Sequence, residues 1–198
     1  ERDIVLKEKR RLPPGYYAVR LTAELPGLTL ERRVAAELTR REYMEPAAGS
    51  FEERKARLMA FAATEAPENT YRAVAILTQG GDAAEAERML RMELPGIRAH
   101  KDCCDFYFIA QLYVLQNYRD RLSAAYVSEL EEVIRTFRFW IDEPGNDVMW
   151  FFSENHALLF HACQYIAGGM YPDLTFSASG LNGNRARSKA ERMLVEWF

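Results

Sequence analysis

The run Ser153-Glu154-Asn155-His156 sets a hydroxyl, a carboxylate, an amide and an imidazole on four successive residues. Ser153 has the type and position of a helix N-cap, so Glu154, Asn155 and His156 fall in the first turn of the helix that follows. Free N–H groups at such an end favour anions and disfavour imidazolium. The pattern therefore offers a neutral His156 able to take a proton near pH 7, beside groups able to hold a carboxylate. Paired carboxylates are the second candidate chemistry. Asp102, Asp105, Asp142, Glu143 and Glu154 lie in or beside the same segments, and glycoside hydrolysis needs an acid and a base or nucleophile roughly 5–10 Å apart. Trp140, Trp150, Phe151 and Phe152 are flat enough to stack on sugar rings. Each feature also has a plainer reading: a cap, a solvated turn, or core aromatics.

Metal and thiol chemistry have weaker patterns. His156 and His161 are five residues apart, about 140° around a helix, which suits no shared ion. Glu154 and His161 share a stripe but stand two turns apart. Cys103 and Cys104 are adjacent, Cys163 is distant, and no C-x-x-C spacing occurs. Cys103 and Cys104 read as small buried apolar residues, and the odd, sparse set argues against a disulfide scaffold, a structural zinc or a catalytic thiol, so no metal or cofactor is expected.

The elements that position these residues are mostly helical. Residues 17–38 alternate apolar and polar around Pro26-Gly27, as a β-hairpin with one wet face does. A helix over 30–40 is the competitor. Beyond Pro46–Gly49 the period changes. Ser50 with Glu53 reads as a capping box. Helices are predicted from Pro67 to Gly80, from Asp82 to Pro95, over about 102–118, over about 123–141, and from Ser153 to a Gly168-Gly169 stop. Another runs through Ala186, Ala190 and Leu194 with no stop signal, which reads as a chain cut inside a helix. The helices over 102–118 and 153–167 are apolar on most sides, whereas the one between them carries a single stripe. That alternation suits the inner and outer rings of an α/α toroid. The expected fold is therefore mainly α: residues 1–45 are the last strands of a truncated β-rich domain, and residues 46–198 begin a toroid of helical hairpins.

With 198 residues, 48% hydrophobic and 28% charged, the composition is that of a globular chain. A net charge of −3 without a basic block argues against nucleic acid as a partner. No apolar run approaches the ~20 residues of a membrane span. The sparse, odd cysteines lean toward a cytoplasmic setting.

K-D-C-C-D-F at 101–106, F-W-I-D-E-P-G at 139–145, M-W-F-F-S-E-N-H at 149–156 and A-G-G-M-Y-P-D at 167–173 together resemble segments of a family of large, poorly characterised bacterial proteins. The resemblance spans about residues 97–198, and Lys101 and Cys104 depart from it. It implies a β-rich part followed by an α/α toroid, an architecture similar to that of many polysaccharide lyases and some glycoside hydrolases. In toroid-type lyases an Asn helps neutralise a uronate carboxylate, a His abstracts the C5 proton and a Tyr protonates the leaving oxygen. The likeness thus implies catalytic roles for Asn155 and His156, with Tyr107, Tyr113 or Tyr171 as acid. A hydrolase would draw instead on Glu154, Asp102 and Asp105. Trp150, Trp140, Asp142, Glu143 and Tyr107 would contact a poly- or oligosaccharide. A non-catalytic helical module binding protein or carbohydrate is the alternative.

Overall fold

The computed structural model describes residues 12–39, 49–147 and 149–197. The expectations for residues 1–11 and 40–48 lie outside them. The chain divides into two compact units, residues 1–48 and 49–198. The described part of the first unit is a hairpin of β1 (Gly15–Leu25) and β2 (Leu28–Leu38), antiparallel. Pro26 and Gly27, the latter at φ +77°, make its two-residue turn. The register sets Val19 against Val34 and Ala23 against Leu30, with Arg32 opposite Leu21. Leu21, Leu25, Leu28, Leu30, Val34 and Leu38 nevertheless stand exposed, so both faces are wet rather than one. The helical competitor over 30–40 is not formed along β2.

The second unit contains α1 (Phe51–Thr64), α2 (Thr70–Thr78), α3 (Ala83–Arg98), α4 (Cys104–Tyr118), α5 (Ala124–Thr136), α6 (Glu154–Met170) and α7 (Gly183–Val195). The protein is thus mainly helical with one hairpin. Ser50 and Glu53 form the expected capping box, and Asp82 and Ser123 cap α3 and α5. Helix α2 starts later than expected, where the Asn69 side chain accepts from Tyr71 and Arg72 N–H. Helix α4 packs on α2, α3 and α6, and α6 pairs with α7. Phe108, Leu112 and Leu115 of α4 join Leu90, Leu94, Tyr126, Leu130 and Phe160 in one core. Inside it Gln111 donates to the Leu90 carbonyl at 2.8 Å and accepts from the Tyr126 hydroxyl, tying α3, α4 and α5 through a satisfied buried amide.

Three helix boundaries differ from those expected. Pro95 does not end α3, which runs on to Arg98 because Leu94 and Ile97 on either side are fully buried. Gly168-Gly169 does not end α6 either. A Cβ at Gly168 would lie 2.5 Å from the Gly183 carbonyl oxygen, so this glycine serves the close approach of α7 rather than a stop. Helix α5 ends at Thr136, short of the expected 141. Phe137 and Phe139 are both buried, and extended backbone at Phe137 begins the turn that brings each ring into the core.

Candidate functional site

The first turns of α4 and α6 meet. Asp105 is the second residue of α4 and His156 the third of α6. Asp105 Oδ2 and His156 Nδ1 are 2.8 Å apart, the carboxyl fully buried and the imidazole 7% exposed. The ring stands edge-on to Phe106 at 5.2 Å and near-parallel to Phe160 at 6.3 Å. Burial pushes the Asp105 carboxyl above its ordinary range, against the pull of His156 and of the backbone amides of Asp105 and Phe106. A carboxylate on Nδ1–H fixes the tautomer and leaves Nε2 as the nitrogen that can accept a proton. The orientation and tautomer of His156 are therefore set by a specific partner, 51 residues away in sequence.

The approach to α4 explains how that carboxylate is placed. Helix α3 ends in a left-handed turn at His100 (φ 50°), with His100 N–H donating to the Ile97 carbonyl and Lys101 N–H to that of Gly96, both at 3.0 Å. Three residues on, Cys103 is also left-handed (φ 64°) and caps α4 without a side-chain hydrogen bond. Asp102 is thus not the cap. Its Oδ1 accepts the Trp150 N–H at 3.2 Å and so joins the turn before α4 to the loop before α6. Cys103 is exposed, whereas Cys104 is buried with its thiol 3.5 Å from the Met149 sulfur. The expectation that both are buried fails for Cys103 because the left-handed backbone turns it out of the helix. Asp102, Cys103 and His156 bring a carboxylate oxygen, the thiol sulfur and a ring nitrogen within 4.8 Å of one another.

The loop before α6 alternates. Met149 and Phe151 are buried, while Trp150 and Phe152 are 55% and 75% exposed. Those two outer rings meet edge-on at 5.9 Å, forming a small aromatic surface over the Asp102 turn. Ser153 does precede the first residue of α6, but its hydroxyl donates to Asn155 Oδ1 at 2.7 Å instead of capping a backbone N–H. Glu154 and Asn155 are exposed. Half-exposed Tyr71 donates to the Phe106 carbonyl at 2.8 Å, and its ring lies 6.0 Å from that of Tyr107. Burial first, then Tyr107 and Asp105, raise its hydroxyl pKa.

Asp102, Asp105, Trp150 and His156 are thus brought together, with Cys103 and Tyr71 as additions. Trp140, Asp142, Glu143, Tyr113 and Tyr171 are engaged elsewhere. Trp140 packs on His161 at 4.2 Å and on Phe151 at 5.6 Å. Asp142 accepts from Lys189. Glu143 is buried and takes three donors, Phe139 N–H, Gln164 Nε2 and Lys189 Nζ, at 2.9, 2.8 and 3.1 Å. Arg138 closes the same turn on the carbonyls of Glu143 and Ile141 and on Asp147. The W-I-D-E-P-G segment is therefore a polar clamp joining the turn after α5 to α6 and α7. Tyr171 bonds Arg119 and Glu131, and Tyr113 interacts with Tyr118.

Compared with known proteins, the chain matches no family model, no curated protein and no solved structure. Among the described residues, no helix is long and apolar enough to cross a membrane.

Proposed function

We propose that the chain carries the acid–base centre of a carbohydrate-active enzyme of polysaccharide-lyase type, within part of an α/α toroid. The buried Asp105–His156 pair is the observation that carries this reading. In it His156 Nε2 takes the C5 proton of a uronate, and Asp105 holds the tautomer and stabilises the imidazolium that forms. The Asn155 amide is exposed, and among the described residues only its oxygen is engaged, by Ser153, so its N–H groups can face the sugar carboxylate. Trp150 and Phe152 supply stacking surface. Tyr71 and Tyr107 are the tyrosines on the Asp105 side, in place of Tyr113 and Tyr171. The glycoside-hydrolase alternative is less favoured, because Asp105 is committed to His156 and Glu143 to its clamp.

The full chain incubated with uronate-containing polysaccharides tests this. Products bearing an unsaturated uronate, read by ultraviolet absorption and mass, support the lyase reading. New reducing ends without unsaturation mean a hydrolase, and saturable binding without turnover means a binding module. Either of these outcomes overturns the proposal.

A further inference from the structure

We propose that Asp102, Cys103 and His156 form a binding site for a divalent cation of the zinc class, with Asp105 as the outer carboxylate that positions His156. The three ligand atoms already lie within 4.8 Å of one another. Ligand atoms on a tetrahedral zinc stand roughly 3.3–3.8 Å apart at ordinary bond lengths, so small side-chain rotations close the set. A thiol with an imidazole and one carboxylate is a donor set for zinc rather than for calcium or magnesium, which prefer oxygen throughout. Three protein ligands leave a fourth position open, the form of a catalytic rather than a structural zinc.

One further observation points at an ion rather than at a chance cluster. The His156 ring is 7% exposed, Asp105 holds its Nδ1 at 2.8 Å, and among the described residues no hydrogen bond uses Nε2. A buried imidazole with a carboxylate on one nitrogen and the other idle is how metal-binding histidines are commonly prepared. The backbone at Cys103 is left-handed. It turns this one thiol outward while Cys104 and Cys163 stay buried. Asp102 and Asp105 flank that thiol in sequence, an environment that attracts a cation and repels a free thiolate nucleophile.

The inference shares His156 with the proposed function but does not rest on the substrate class. Nε2 can serve either as ligand or as base, so an ion held there excludes the proton transfer of the proposed function, and Zn(II) should suppress any uronate turnover that the chelator-treated chain shows. The test is titration of the chelator-stripped full chain with Co(II), followed by competition with Zn(II). One-to-one saturation with a thiolate-to-cobalt charge-transfer band, displaced by Zn(II), is expected. Cys103→Ser, at an exposed position and checked for fold by near-ultraviolet circular dichroism, should lose the band. Asp105→Asn should weaken Co(II) binding by roughly 10–100-fold. Absence of saturable Co(II) binding by the folded chain, or a charge-transfer band that survives Cys103→Ser, overturns the site. Neither result bears on whether unsaturated products form from uronate polymers in the presence of chelator.

Discussion

His161 should add to the protein's acid sensitivity, and removing it should remove that share. Its ring is 1% exposed, tilted against Trp140 at 4.2 Å, with neither nitrogen hydrogen-bonded among the described residues. Burial, helped by Lys189 and opposed by Asp142, lowers its pKa from 6.5 to about 4. An unfolded chain takes up this proton as pH falls through 6.5, whereas the folded chain resists until about 4. The contribution is therefore complete above the unfolded value and is lost as pH drops through that window. The full gap corresponds to roughly 3 kcal/mol, of which about 2 kcal/mol is gone by pH 5. His161→Leu keeps the volume and removes the titrating group. Urea denaturation of both proteins at pH 7 and pH 5 reads the effect. At pH 7 the variant should be close to wild type or slightly more stable, since a buried polar ring without partners contributes little. At pH 5 its advantage should have grown by about 2 kcal/mol. His100, also held below its ordinary value by burial, and the carboxylates titrate alike in both proteins and cancel. A stability difference that stays constant between the two pH values refutes the reasoning.

Two substitutions test the packing around the site. Gly168→Ala should destabilise by about 1–3 kcal/mol in thermal or urea unfolding, although alanine is the better helix former by about 1 kcal/mol. The added Cβ meets the Gly183 carbonyl oxygen at 2.5 Å and the Arg187 amide at 2.9 Å, and backbone there cannot step aside. Glu143→Ala should cost about 3–5 kcal/mol in urea unfolding, because the Lys189 ammonium and the Gln164 amide lose their buried acceptor.

Local signals were legible in the sequence wherever the chain makes its own contacts. Ser50 with Glu53, Asp82, Ser123 and the Pro26-Gly27 turn act within a few residues of themselves, and the structure has each of them. The breakers misled where a distant element decides. Pro95 stays in α3 because buried neighbours hold the last turn, and Gly168 stays in α6 because α7 needs the space. The site was legible as residue types but not as pairs. His156 and Asp105 were both visible as chemistry, yet their contact spans 51 residues and depends on how α4 crosses α6. Read singly, Asp105 looked like half of a carboxylate pair. Cys103 was hidden because two left-handed residues, His100 and Cys103, turn its thiol outward, and neither is a glycine that would have marked the conformation. The acidic turn at Asp142-Glu143 looked like a site because its partners, Gln164 and Lys189, come from α6 and α7.

The central claim, that the Asp105–His156 pair performs proton transfer, is tested most directly by the rate of unsaturated-uronate formation in His156→Gln and wild type at equal folded concentration. Glutamine can accept a hydrogen bond but cannot take the proton, so the account predicts a loss on the order of 100-fold or more in kcat, with near-ultraviolet circular dichroism unchanged. A His156→Gln protein that folds and turns over uronate polymers at the wild-type rate would contradict it.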